Sequence, residues 1–236
     1  MKKFIHLADR PELSFGMRTE NRNGKRHYVT PEGELYPSIT TILGEFSKAS
    51  IQAWRKRVGE EEANKISGKA SRRGTSLHSV CESYIKNKEG FLDKETYNII
   101  ELFKTIEPFF ERINNVHGVE LALYSDHFGV AGRTDLIAEF DGVLSVIDYK
   151  TSNRLKKKEW CESYFAQGAF YGVAYEELTK IPVPQVVIIM AVDNEAPQLF
   201  VEKRDDWIDK IWEAKKLYEL NSIEALENSP RIVVMD

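Results

Sequence analysis

One segment constrains the fold of this chain more than any other, the stretch GRTDLIAEFDGVLSVIDYKTS from Gly132 to Ser152. Two apolar runs flank the dipeptide Asp141-Gly142, which favours a two-residue β-turn because both central positions of that turn need positive φ. The segment therefore predicts a β-hairpin with strands over 130–140 and 143–150. A two-residue loop also fixes the register, in which Phe140 faces Val143.

The predicted register brings charged side chains together. Counting back from the turn, Asp135 faces Asp148, and because side chains alternate along a strand, Asp135, Asp148 and Lys150 share one face. Two opposed carboxylates repel each other unless a positive group lies between them. The pattern predicts a divalent-cation site with Lys150 beside it, as metal-assisted phosphodiester hydrolysis would need. An ion pair at the strand end is the simpler alternative.

Charge is distributed unevenly along the 236 residues, which are enough for a single domain over 1–236. The net charge is −4, but residues 47–73 carry eight basic and three acidic side chains, or +5, so the remainder carries −9. A confined basic patch on an acidic protein favours a local anionic ligand. A solvated helix face is the alternative.

The composition excludes several classes of protein and of metal site. The two cysteines, Cys81 and Cys161, are too few for an iron–sulfur cluster, which needs about four, and they form no CxxC zinc motif. Two free thiols fit a reducing compartment. No apolar run reaches the length of about 18 residues typical of a membrane span, and the polar N-terminus resembles neither a signal nor a transit peptide. We therefore expect a cytoplasmic protein with no membrane partner.

The periodicity predicts an α/β fold in which a mixed sheet is flanked by helices. We expect an irregular N-terminal segment or short extended pieces at 1–37, where a turn at Asn23-Gly24 predicts a small hairpin near 25–30. A helical region at 38–90 follows, in which Ser38 caps the first helix and Gly59 and Gly68 mark breaks. A core at 94–204 and a closing helix with a tail at 205–236 follow. The predicted core elements are a helix at 94–114 with Pro108 as a candidate kink, strands at 116–124, 130–140 and 143–150, a helix at 159–178, a strand at 185–192 and an edge strand at 198–203.

This order of elements, with Asp135 and the triplet Asp148-Tyr149-Lys150, resembles the PD-(D/E)XK nuclease superfamily and its restriction-endonuclease-like core of helix, three strands, helix and strand. Thr134 stands where the name of the motif has proline. Three further segments resemble motifs of RecB-type members, in the same order: GTSLH at 74–78, DYKTS at 148–152 and QGAFY at 167–171.

Within the superfamily, the chain resembles the mitochondrial genome maintenance exonucleases and their phage-encoded relatives. That likeness rests on SITTIL at 38–43 and on Glu120 before the hairpin, and the whole resemblance covers roughly residues 36–215. Because no transit sequence is evident, the resemblance implies a bacterial cell or a phage-infected host rather than mitochondria.

The resemblance implies a metal-dependent DNA exonuclease that acts on single-stranded ends. One or two Mg²⁺ or Mn²⁺ ions would be held by His78, Asp135, Asp148 and the backbone carbonyl of Tyr149. Lys150 would orient or deprotonate the attacking water. Glu120 is a further candidate that would bind the metal directly or through water, or would simply be a surface glutamate.

The resemblance also assigns residues to DNA. Gln167 and Tyr171 lie four residues apart on one helix face, where they would touch the strand, support Lys150 or simply pack against the sheet. The helices at 38–90 would form a wall over the site, with Trp54 as a stacking platform for a single strand or as a buried residue between helices. The remaining predicted DNA contacts are Ser38, Arg72, Arg73, Thr151 and Ser152.

Two other functions stay open at this point. One is a structure-specific endonuclease that cuts duplex or branched DNA in the course of replication, recombination, repair or phage DNA metabolism. The other is a nuclease-like module that binds DNA without turnover. The intact set of Asp135, Asp148 and Lys150 favours an enzyme.

Overall fold

The computed structural model describes residues 2–7, 16–22 and 24–227. The N-terminal part is more regular than predicted, because strands β1 (Arg18–Arg22), β2 (Lys25–Val29) and β3 (Leu35–Pro37) form an antiparallel sheet. The predicted short extended pieces and small hairpin are thus present, and they belong to one sheet. Strand β1 is polar and mostly exposed, so it lacks the apolar alternation by which strands are recognised. The predicted turn includes Asn23, which lies outside the described residues.

Two long helices follow, α1 (Ile39–Val58) and α2 (Glu60–Ile85). Ser38 caps α1 as predicted, since its hydroxyl oxygen accepts a hydrogen bond from the Thr41 amide at 3.1 Å. Gly59 separates the helices with φ of 87°, which confirms one predicted break. The break predicted at Gly68 was wrong, because α2 runs through it. One glycine inside a helix costs only about 1 kcal/mol relative to alanine.

The far halves of these helices project from the domain. The segment over residues 46–76, which we call the helical hairpin, has Ala63 as its single buried residue. The buried residues of α1 all precede it, and those at the end of α2 begin at Leu77. The helical hairpin is therefore held mainly at its base, where its two ends join the domain.

A five-stranded mixed sheet forms the centre of the domain, which confirms the predicted fold class. Its strands lie in sequence order, and β6 and β7 are the parallel pair. Helix α3 (Tyr97–Phe110) ends two residues after Pro108, and residues 113–114, predicted as helix, already belong to the first strand of this sheet. The other elements are β4 (Ile113–Ser125), β5 (Val130–Phe140), β6 (Val143–Ser152), α4 (Glu162–Thr179), β7 (Gln185–Val192), β8 (Gln198–Lys203) and α5 (Ile208–Glu227).

The sheet is covered on both faces. Ile188 and Met190 of β7 pack in one hydrophobic cluster with α4, α5 and the start of α1, whereas Val187 and Ile189 pack in the other with α3 and the end of α2. A strand buried on both faces reads as a continuous apolar run, and residues 186–192 of β7 form such a run. Over the ranges that the structure describes, we find no helix with the length and apolarity that a bilayer crossing demands.

Candidate active site

The β5–β6 hairpin forms with the predicted register. Residue pairs run from Phe140↔Val143 to Leu136↔Ile147, and Asp141 and Gly142 take φ of 51° and 79° in the turn. The ladder then stops one pair short of Asp135 and Asp148. Strand β5 stays paired with β4 up to its start, and β6 stays paired with β7 to its end, so the two strands diverge and leave a wedge-shaped opening between them.

Asp135 spans this opening. Its Oδ2 accepts a hydrogen bond from the Tyr149 backbone N–H at 3.0 Å, so a side chain takes the place of the next ladder bond. The carbonyl of a strand residue points to the same side as its N–H, which directs the Tyr149 carbonyl toward the same opening. The Tyr149 ring lies on the other face of the sheet, stacked on Phe110 with centroids 5.5 Å apart.

Asp148 and Lys150 lie together on the face covered by α4. Lys150 Nζ is 2.5 Å from Asp148 Oδ2, and Gln167 Nε2 donates to Asp148 Oδ1 at 3.3 Å. The buried Oδ2 is paired with the ammonium by charge but has no aligned hydrogen bond within the described residues. Gln167 therefore supports Asp148, and α4 positions one half of the site.

Helix α2 supplies the other half. Leu77 and Val80, both buried, anchor the helix on the sheet, and His78 between them reaches Asp135, with Nδ1 3.2 Å from Oδ1. The His78 ring also meets the Tyr149 ring edge-on at 6.1 Å. The structure thus brings the histidine of the GTSLH segment to the predicted carboxylate, although about 60 residues separate them in sequence.

Glu120 occupies an unusual backbone position beside Asp135. It lies in β4 between the pairs Val119↔Leu136 and Leu121↔Thr134, with φ of 56°. Positive φ costs a non-glycine residue on the order of 1–3 kcal/mol and is common at functional sites. Across it the chain changes face, because Val119 and Leu121 pack in opposite clusters. Burial and the charges of Asp135 and Glu82 raise the pKa of Glu120, so its carboxylate belongs to the site.

The carboxylates and cations of the site shift one another's pKa values. Burial, joined by the charge of Asp135, raises the pKa of Asp148. Burial acts in the same direction on Asp135, but the bond from His78 and the charges of His78 and Lys150 lower its pKa below the usual value. Burial would lower the pKa values of His78 and Lys150, yet the neighbouring carboxylates raise both. Lys150 is therefore an ammonium at neutral pH.

These residues fit a divalent cation in chemistry, although they are not arranged as a ready cage. Within the described residues, no group of three His, Cys, Asp or Glu side chains is already placed to hold a metal. Instead His78 and Lys150 contact the oxygens of Asp135 and Asp148. Two buried carboxylates with Glu120 beside them, and a buried Asp148 oxygen without a hydrogen bond, are the oxygen donors that Mg²⁺ and Mn²⁺ prefer.

Three predicted DNA contacts are buried and already used inside the protein. Tyr171 packs beneath β5, where a Cβ on Gly132 would lie 2.8 Å from its hydroxyl, so packing against the sheet is the role that the structure shows. Ser38 is buried as a helix cap, and buried Ser152 donates to the Arg154 carbonyl at 2.6 Å. As placed, these three side chains do not face an external strand.

The other predicted DNA contacts differ in exposure and in their partners. Arg72 is exposed near the base of the helical hairpin, whereas the adjacent Arg73 is paired with Asp193, which ties α2 to the end of β7. Trp54 is half-buried on α1, and Thr151 is half-buried at the end of β6. The structure therefore leaves Arg72 the better candidate of the arginine pair for a phosphate.

Two contacts of the site had not been predicted. Tyr164 lies with its ring centroid 5.1 Å from Lys150 Nζ, and a signal existed, since Tyr164 is three residues before Gln167 on the same helix face. Asp193, the partner of Arg73, gave no signal, because it meets α2 only through the tertiary fold.

Comparison with known proteins gives the same picture. The model of the PD-(D/E)XK nuclease superfamily matches residues 104–230, which include Asp135, Asp148, Lys150 and Gln167. Mitochondrial genome maintenance exonuclease 1 of Mus musculus is 25% identical over 162 residues, covering 62% of this chain and 48% of that protein. Its Homo sapiens counterpart is 24% identical over 141 residues, covering 56% and 40%. The chain thus spans less than half the length of these curated relatives.

A candidate exonuclease from Eubacterium rectale is similar in structure, with a TM-score of 0.41 and 15% identity over 61% of this chain and 68% of that one. Its low score adds nothing to the assignment, which rests on the matched sequence. The matched range covers more than half of the chain and holds the diverging strands with their two aspartates and lysine. The chain belongs to the PD-(D/E)XK nuclease superfamily.

Proposed function

We propose that this protein is a metal-dependent deoxyribonuclease that degrades DNA from single-stranded ends. The observation that carries the proposal is the opening between β5 and β6, where Asp135, Asp148 and Lys150 converge from the hairpin and His78 joins them from α2. Buried carboxylates beside a buried ammonium suit a site that recruits a cation and then a phosphate.

The residues would divide the chemistry as follows. Asp135, Asp148, His78 and the Tyr149 carbonyl would hold one or two Mg²⁺ or Mn²⁺ ions, with Glu120 as a further donor. A bound ion would offset charge on the phosphate and make water a stronger nucleophile. Lys150, which pairs with Asp148, would orient or deprotonate the attacking water and would offset charge in the transition state.

The substrate assignment has two supports. The helical hairpin contains the whole basic stretch of residues 47–73 and ends beside His78 of the site, where it would follow a DNA backbone. Both curated relatives are named exonucleases. Neither fact favours duplex DNA, and an end-dependent reaction on single strands is the proposal that joins them.

Three labelled substrates test this function: linear single strands, linear duplex and circular single strands, each with Mg²⁺ or Mn²⁺. We expect degradation of linear single strands, and a loss of about a hundredfold or more in the Lys150→Ala variant, which removes the positioned ammonium. Lys104→Ala, an exposed lysine on α3, is the matched control and should cleave like the unmodified protein.

The result distinguishes the alternatives. Cutting of circular strands would replace the exonuclease with an endonuclease. Binding of DNA without cleavage under either ion would replace the enzyme with a binding module. The position of the label on the shortened products gives the polarity.

A further inference from the structure

An exposed aromatic ring lies close to the candidate active site, on the loop that follows β6. Trp160 is 53% exposed, and the ring contacts recorded for it are with two cations. The Arg154 guanidinium carbon is 5.5 Å and Lys157 Nζ is 5.8 Å from its ring centroid. A large indole flanked by cations on the surface offers a base a face to stack on and offers phosphates a counter-charge.

The loop over residues 153–160, which we call the basic loop, is held in a defined shape. Gln198 on β8 accepts a hydrogen bond from the Lys156 N–H at 2.7 Å and donates to the Lys156 carbonyl at 2.9 Å. Ser152 bonds the Arg154 carbonyl, and the Trp160 N–H donates to the Lys157 carbonyl at 3.0 Å. Trp160 is therefore presented by bonds to the loop backbone rather than by burial of its ring.

The basic loop adjoins the catalytic lysine through one side chain. Lys156 Nζ donates to the Tyr164 hydroxyl at 2.9 Å and lies 5.0 Å from the centroid of its ring. Lys150 Nζ lies 5.1 Å from that same centroid. Lys150 and Lys156 thus contact the same Tyr164 ring, which joins the basic loop to the candidate active site.

The charges of the loop are available to a ligand. No carboxylate within 4 Å pairs with Arg154, Lys156 or Lys157 among the described residues. Lys158 differs, because it pairs with Glu202 on β8 at 2.7 Å. Two cations at an exposed indole and a third at Tyr164, all without acidic partners among the described residues, match a single strand, in which phosphates and unstacked bases alternate.

We infer that the basic loop is a binding site for the DNA strand next to the scissile phosphate. Trp160 stacks on one base of the strand, and Arg154, Lys156 and Lys157 hold the flanking phosphates. The inference rests on the proposed nuclease function and deepens it by giving the single-strand preference a physical source outside the helical hairpin.

Binding of a labelled single-stranded oligonucleotide tests the inference, measured by fluorescence anisotropy on the full chain carrying Lys150→Ala so that nothing is cleaved. Adding Trp160→Ala should weaken binding about 5- to 150-fold, the range for loss of one stacked base. Trp160→Phe keeps an aromatic face and should bind within about threefold of the parent. Tyr97→Ala, an exposed aromatic on α3, is the matched control and should leave affinity unchanged.

A second measurement leaves the loop intact. Oligonucleotides with one abasic position, moved along the strand, should bind the Lys150→Ala protein less tightly when the gap falls at the stacked base. With Trp160→Ala added, this position dependence should disappear, which a merely structural tryptophan would not produce. A profile that is unchanged by Trp160→Ala, together with unchanged affinity, overturns the inference.

Different results would overturn the proposed function and the inference about the basic loop. If the unmodified protein degrades single strands and Trp160→Ala alters neither affinity nor abasic profile, the basic loop is not a strand site, and the nuclease function stands. If the unmodified protein neither binds nor cleaves any DNA, the proposed function is overturned, and the inference with it.

Discussion

At the scale of single residues, the main feature of the candidate active site is how its buried carboxylates are paired. Asp148 is buried with Lys150 against one oxygen and Gln167 against the other, and Asp135 faces His78 and the Tyr149 amide. Each carboxylate is held in place by donors of the protein itself. Such an arrangement keeps buried acids ionised and positioned until a cation competes for the same oxygens.

Asp148→Asn tests the role of this carboxylate as a ligand. The amide keeps the shape and the contact with Gln167 but removes the charge, so we expect the affinity for Mn²⁺ measured by calorimetry to fall about a hundredfold or more, at least the loss typical for a supporting residue. Asp141→Asn is the control, since Asp141 lies in the turn of the same hairpin and pairs with Arg112. Equal affinity in both variants would remove Asp148 from the ligand set.

Much of this residue-level picture was predictable, for a definite reason. A two-residue turn fixes the register, and the register places Asp135, Asp148 and Lys150 by counting. The divergence of the strands was not predictable, because β4 and β7 compete for β5 and β6 from the outer sides of the hairpin. The burial of Tyr171 and Ser38 also depends on tertiary packing that local sequence does not contain.

At the scale of elements, α4 supports the candidate site through Gln167 and Tyr164, and it must therefore lie close to the sheet. A Cβ built on Gly168 would lie 2.3 Å from Val186 Cγ1 of β7, so the glycine next to Gln167 lets the helix approach the strand. Gly68 in α2 shows the opposite case, where a glycine predicted to break a helix lies inside one and needs no special conformation. A glycine in a sequence thus marks a break, a close approach or neither, and contacts decide which.

Gly168→Ala and Gly44→Ala form a matched pair of predictions. Alanine at Gly168 overpacks the interface between α4 and β7, so we expect the free energy of unfolding to fall by about 1–3 kcal/mol. At Gly44 of α1 nothing lies within 4 Å of the added Cβ, so the better helix former should raise it by about 0.5–1 kcal/mol. Chemical denaturation measures both, and a loss of stability in Gly44→Ala would contradict the packing described here.

A buried glutamate links three elements and gives a pH-dependent prediction. Burial would raise the pKa of Glu45 on α1, but hydrogen bonds from Lys48 and from Asn221 of α5, with the charges of Lys48 and of Lys25 on β2, lower it further than burial raises it. Lys48 Nζ lies 3.0 Å and Lys25 Nζ 3.4 Å from its carboxylate. A lowered pKa means that the folded state favours the ionised form.

Glu45→Gln should therefore reduce the free energy of unfolding by about 1–2 kcal/mol at pH 7, where Glu45 is charged in both states. The ionised form is favoured by folding above the unfolded-state pKa of about 4.5, and that contribution is lost as pH falls through the lower pKa of the folded state. The difference between the two proteins should shrink below about pH 4.5. A constant difference from pH 7 to pH 3 would mean that charge is not its source.

At the scale of the whole molecule, the two proposed DNA-binding regions differ in charge from the rest of the protein. The protein is acidic with a net charge of −4, yet the helical hairpin and the basic loop are basic. In the sequence, the helical hairpin precedes β5 and the basic loop follows β6. Acidic surface elsewhere would repel a polyanion, so we expect DNA to be confined to these two regions. Both regions are visible in the sequence as basic runs, at 47–73 and at 154–158, whereas the exposure of Trp160 beside the second is a finding of the structure.

The neighbouring arginines Arg72 and Arg73 provide the last test, since the structure gives them different roles. Arg72 is exposed and should contact a phosphate, so in the Lys150→Ala background Arg72→Ala should weaken single-strand binding and reduce the slope of log affinity against log salt by about 0.7. Arg73 is paired with Asp193, so Arg73→Ala should mainly lower the free energy of unfolding and change the salt slope little.

Lys104→Ala on α3 controls for the loss of any surface charge. An unchanged slope in Arg72→Ala would remove the base of the helical hairpin from the DNA path, and an equal reduction in both arginine variants would mean that Arg73 leaves Asp193 to bind phosphate as well.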